Sequence, residues 1–160
     1  MRTRQLALVV SLLSGTVALG AQARQTTPPP TQTPAPAAAA SNDIVVTVNY
    51  TGKGVVDAGH SVLVFLFTDP NIGPTSQPIG PPQVATRNGA VVTFKGLAAR
   101  PLYVVGVFNE KGTYNGGGPP PAGLPIGIYR KDAQSPPTAV TPGPKTAVKL
   151  TFNEAKRWGQ

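Results

Sequence analysis

His60, the single histidine, lies in Asp57-Ala58-Gly59-His60-Ser61, where an imidazole, a carboxylate and a hydroxyl crowd together. A Ser–His–Asp arrangement needs its base within about 3 Å of the nucleophile and oriented by the acid. Successive residues of an extended segment point to opposite faces, so His60 and Ser61 diverge and the motif reads as a surface turn. One His with scattered acids, and no Cys, supplies too few ligands for a metal. The acids Asp43, Asp57, Asp69, Glu110, Asp132 and Glu154 are spread along the chain and form no paired-carboxylate motif. Gly116-Gly117-Gly118-Pro119-Pro120-Pro121 lacks the Gly-Lys-Ser/Thr ending and the following helix of a phosphate loop. The sequence therefore predicts no catalytic residue, no metal and no cofactor.

Binding chemistry is the better expectation. Long loops on a rigid scaffold are where contact residues concentrate, and residues 69–82 and 109–127 read as two such loops. Tyr114, Tyr129 and Arg130 are the expected contact surface, with Tyr103 and Phe108 assigned to the core. The 160 residues carry 14 Lys+Arg against 6 Asp+Glu. Nucleic-acid binding calls for clustered bases interleaved with aromatics. Apart from Arg130-Lys131 and Lys156-Arg157 the bases from Asn42 on are isolated, so no nucleic acid is expected. Weak attraction to anionic lipid, lipopolysaccharide or acidic glycans suits the surplus better.

The elements that must position these residues begin after two leading segments. Arg2 and Arg4 precede an apolar run at residues 6–13, and Ala21-Gln22-Ala23 fits the small-x-small rule of an export signal over residues 1–23. Ser14, Gly15 and Thr16 break the run short of the roughly 20 apolar residues that a spanning helix needs. Membrane contact is thus expected only through the cleaved signal, with the product periplasmic or extracellular. Residues 24–41 are Pro- and Ala-rich and read as a disordered linker.

From Ile44 the texture changes to short β-branched runs. Residues 44–50 alternate, placing Ile44, Val46, Val48 and Tyr50 on one face. Residues 61–68 (SVLVFLFT) are apolar on both faces, which predicts a central strand covered on both sides, and 102–108 (LYVVGVF) are similar. Gly106 within that strand marks a bulge or a close approach. Asn88-Gly89 predicts a hairpin joining 84–86 to 90–94. Further strands are expected at 126–129, 138–140 and 146–152, the last with Val148, Leu150 and Phe152 alternating with Ala147, Lys149 and Thr151. Charged residues are only 12% of the chain, against 19 Pro and 18 Gly, which excludes a helical bundle. The expected fold is all-β, an antiparallel Greek-key sandwich of about seven strands over residues 42–153, followed by a polar tail at 154–160 that frays unless Trp158 folds back onto the sheet.

The order of these pieces carries a resemblance. An apolar strand precedes a hairpin strand into Gly96-Leu97, then the Tyr-bearing strand 102–109, a turn at Gly112, and Pro125-Ile126-Gly127-Ile128-Tyr129. A final strand, led by Pro142-Gly143, ends in Phe152. This resembles the prealbumin-like (transthyretin-like) sandwich, and in particular the carboxypeptidase-regulatory-like domains of bacterial envelope proteins. Relatives with a calcium turn after the Tyr strand imply a site at Asn109-Glu110-Lys111-Gly112-Thr113-Tyr114-Asn115, where only Glu110 supplies a carboxylate. Transthyretin-related enzymes that hydrolyse 5-hydroxyisourate use several histidines and a terminal Tyr-Arg-Gly-Ser; this chain has one His and ends Lys156-Arg157-Trp158-Gly159-Gln160. The expectation is an exported, non-enzymatic module that binds an envelope protein or glycan. A carbohydrate-binding module and a transthyretin-related hydrolase are the alternatives. If the export reading holds, mass spectrometry of the processed chain will find Gln22 or Arg24 as its first residue, and an intact Met1 in the exported fraction contradicts it.

Overall fold

The structure is a computed structural model, and it describes residues 42–160. The expected export signal (1–23) and linker (24–41) lie outside the described residues. Among the described residues the regular structure is all-β: β1 (Ile44–Tyr50), β2 (Val62–Phe67), β3 (Gln83–Ala85), β4 (Val91–Phe94), β5 (Tyr103–Phe108), β6 (Ile126–Ile128) and β7 (Ala147–Phe152). No described helix is long and apolar enough to cross a membrane. The strands form a three-stranded sheet in the order β4-β1-β7 and a four-stranded sheet in the order β3-β2-β5-β6.

The alternation read in the first strand holds, with Ile44, Val46, Val48 and Tyr50 buried and the residues between them partly exposed. β1 pairs antiparallel with β4 but parallel with β7, Val46 facing Val148 and Tyr50 facing Phe152. The expected sandwich was antiparallel throughout. Parallel neighbours need a long crossover, and here nearly the whole domain runs between the first strand and the last.

β2 is buried at every position, and β2 and β5 are the inner pair of their sheet, as the two-sided apolar pattern predicts. One face, with Val62, Val64, Leu66, Val104 and Phe108, shares a cluster with Ile44, Val46, Val48, Tyr50, Leu150 and Phe152 of the other sheet. The opposite face, with Leu63, Phe65, Phe67, Val105 and Val107, forms a second cluster with Tyr114, Leu124, Ile126 and Trp158. Each such side chain contributes about 1.5–3 kcal/mol when fully buried, so the loops over this face are part of the fold.

Three local expectations change. Of the two readings of the tail, fraying gives way to Trp158 folded back onto the sheet. Trp158 is 3% exposed, and Ile126 N–H donates to the Lys156 carbonyl while Trp158 N–H donates to that of Leu124 (both 2.9 Å). One large apolar anchor outweighs its polar neighbours. Asn88-Gly89 does not close a hairpin, because β3 and β4 belong to different sheets. Gly89 has φ 73°, and the Asn88 amide bonds both backbone groups of Tyr50 at 2.8 Å. The side chain thereby extends the partner edge of β1 past the end of β4. Residues 138–140 form no strand; Val140 makes only an isolated bridge to Leu102.

Gly106 and Gly127 face each other across β5 and β6. A Cβ at Gly106 would lie 2.7 Å from Leu150 Cδ2 and 3.0 Å from Phe152 Cε1, and one at Gly127 would collide with Phe152. The ladder through Gly106 is unbroken, so of the two readings the close approach is the one found. Replacing Gly106 by Ala is expected to lower the unfolding free energy by about 1–3 kcal/mol in urea titrations. Gly73→Ala, at a site with nothing within 4 Å of the added carbon, should shift it by no more than about 0.5 kcal/mol.

Candidate interaction surface

The three expected contact residues separate in the fold. Tyr114 is buried in the second cluster, its ring 6.3 Å from that of Phe65. Its hydroxyl donates to the Gly118 carbonyl at 2.7 Å, and burial raises the phenol above its ordinary pKa. Tyr114 therefore holds the loop after β5 down onto the sheet. Asn109, itself buried, completes the clamp: its Nδ2–H donates to the Tyr114 carbonyl and its Oδ1 accepts from the Tyr114 N–H. The sequence offered one signal for this pairing, an amide residue directly after an apolar strand and ahead of a glycine turn.

Tyr129 and Arg130 do share a surface. They leave β6 and, with Ile128, Lys131, Asp132 and Ala133, line one wall of an open hollow of about 480 Å³. Lys149 and Thr151 of β7 form the other wall. The loop is fixed from within. The Arg130 guanidinium donates to the Ser135 carbonyl, and Lys131 N–H donates to Thr138 Oγ1 at 2.9 Å. Asp132 accepts from the Ser135 hydroxyl at 2.7 Å and from its N–H at 2.9 Å. Three cationic side chains thus stand around the hollow, while its one carboxylate is committed to Ser135.

That commitment is general among the described residues. Asp43 accepts from Gly96 N–H, Asp57 from Gly59 and His60, Asp69 from Asn71, and Glu154 from Lys53. Glu110 meets the Arg157 guanidinium at 3.2 Å. Every carboxylate is spent on a turn or a tail contact. Arg157 is the only described Lys or Arg in an ion pair, and the 11 Lys and Arg of residues 42–160 against 6 Asp and Glu leave the described surface net cationic.

His60 sits at a second open hollow, of about 410 Å³, with Lys53, Val55, Asp57, Phe108 and Glu110. Its Nδ1 lies 3.1 Å from Asp57 Oδ1, and both side chains are about half exposed. Ser61 is buried instead, as strand alternation predicts, and no hydroxyl residue lines this hollow. In the stretch that the calcium analogy singles out, Asn109 and Glu110 are both engaged internally. The described residues contain no group of three or more His, Asp or Glu placed to hold a metal.

No protein-family model, curated protein or solved structure matches this chain.

The Ser135 hydroxyl, then the Ser135 and Gln134 N–H groups, hold the Asp132 carboxyl below its ordinary range. A carboxylate with a lowered folded pKa contributes fully above the unfolded value near 3.9, and its contribution fades as pH falls through the lower folded value. NMR titration should place the Asp132 midpoint below that of an Asp in an unfolded peptide, and Ser135→Ala should raise it. A midpoint at or above the peptide value contradicts this geometry.

Proposed function

We propose that the chain is an exported, non-catalytic module that binds an acidic partner in the cell envelope. Its two sheets are read as a Greek-key sandwich of the prealbumin-like kind. The chain crosses between sheets on leaving β1, β3, β4 and β6, which supports the Greek-key part of this reading. The shared buried cluster supports the sandwich. The observation that carries the function is electrostatic: Arg130, Lys131 and Lys149, none of them in an ion pair among the described residues, stand around the hollow between β7 and the Tyr129–Ala133 wall against the single carboxylate of Asp132. General acid–base work needs a carboxylate or imidazole aimed at a reacting atom; here the acids face backbone N–H groups, the Ser135 hydroxyl, the His60 ring and the Arg157 guanidinium.

The alternatives draw less support. Sugar stacking needs aromatic faces on open surface, yet Tyr114 and Trp158 are buried and Tyr129 is partly so. For the hydrolase, His60 stands in an open hollow with Asp57, which is hydrogen-bonded to it, and Glu110, which is paired with Arg157, and no hydroxyl residue lines that hollow. Capture from an envelope extract with the processed chain as bait tests the reading. An acidic protein or glycan should be retained at low salt and released near 1 M salt, where the screening length falls to about 3 Å. Retention that ignores salt, or turnover of 5-hydroxyisourate by the purified chain, overturns it.

A further inference from the structure

A sheet edge presents unpaired N–H and C=O groups that proteins normally cover, shorten or guard. Along β6 the tail supplies the cover through Lys156 and Trp158. β3 has three residues and follows Pro81-Pro82, and β4 has four. β7 is different. It runs for six residues at the end of its sheet. Val45 N–H donates to the Thr146 carbonyl and Thr51 N–H to that of Phe152, which fixes the phase of the parallel ladder. Val148, Leu150 and Phe152 therefore turn their backbone groups to β1, while those of Ala147, Lys149 and Thr151 point outward. Among the described residues these outward groups have no backbone partner.

The hollow already described lies along this edge, since Lys149 and Thr151 form one of its walls. We infer that β7 is a strand-addition site for an extended acidic peptide of a partner protein, an inference that rests on the acidic-partner reading above. Backbone pairing to an exposed edge supplies affinity, and alternate side chains supply specificity. An added strand would set one side chain in two beside Lys149, with Arg130 and Lys131 across the hollow, so that position calls for Glu or Asp. The intervening side chains would turn toward the partly buried Tyr129, which packs on the cluster shared by the two sheets, and call for β-branched residues. A second copy of this chain fits poorly. Antiparallel pairing of β7 with itself about Lys149 sets lysine against lysine, and like charges directly opposite destabilise a sheet.

The test uses the isotopically labelled full chain, a synthetic peptide alternating Glu and Val, and its counterpart alternating Lys and Val. The acidic peptide should slow hydrogen exchange at the Ala147, Lys149 and Thr151 amides, and the basic one should not. Thr151→Pro removes an outward N–H without touching the ladder to β1, and should weaken the acidic peptide by roughly tenfold or more. Lys149→Glu leaves two cations and two carboxylates around the hollow and should abolish the preference for the acidic peptide over the basic one, and it keeps the test decisive if Thr151→Pro does not fold. Shifts confined to Arg130 and Lys131, with the three amides unprotected, overturn strand addition and leave the acidic-partner reading standing. Protection of those amides that rises with protein concentration and needs no peptide overturns it in favour of self-pairing. If neither the peptide nor polyglutamate binds, both readings fall.

Discussion

Burial of the four-stranded sheet on both faces is the constraint from which the rest of the molecule follows. β2 and β5 are apolar at nearly every position, so a single facing sheet covers only half of what they must hide. The three-stranded sheet takes the inner face. The outer face requires a second cover, and the chain builds it from the loops around β5 and β6 and from its own C-terminus. Tyr114, Leu124 and Trp158 are the anchors of that layer. Long, Pro- and Gly-rich segments of the kind expected to be contact surface are thereby turned into packing.

The inner face imposes its own condition. Leu150 and Phe152 reach across to the other sheet where Gly106 and Gly127 stand side by side. Two adjacent residues without side chains make a slot for a phenyl ring, and the slot brings β7 close over β5 and β6. With its inward side chains held there and one edge paired to β1, β7 keeps its other edge beside the Tyr129–Ala133 wall. Packing in the interior thus sets the geometry of the surface that carries the cations.

Much of the fold was legible in the residues. Alternation in 44–50 and 146–152, and its absence in 61–68, reported which strands have one buried face and which have two. Pairing was less legible, because the β1–β7 contact joins residues about a hundred positions apart and no local signal encodes it. Asn88-Gly89 shows the same limit: the turn forms where its chemistry predicts, but which sheet receives the next strand is decided by distant partners. The site was half legible. Tyr129 and Arg130 reach the surface, whereas Tyr114 sits in an equally polar stretch and is drawn inward by an apolar face it cannot signal locally. Lys149 and Thr151 looked like the ordinary outer face of a strand, and they become notable only once the parallel register shows which backbone groups are left unpaired.

The claim that the loops and tail seal the outer face is tested most directly by the fluorescence of Trp158, the only tryptophan in the chain. Acrylamide titration of the native protein should leave its emission blue-shifted and nearly unquenched, with quenching appearing only when urea unfolds the domain. Native emission that is red-shifted and quenched as readily as free tryptophan would mean that the tail does not pack there. The outer face of β2 and β5 would then need some other cover.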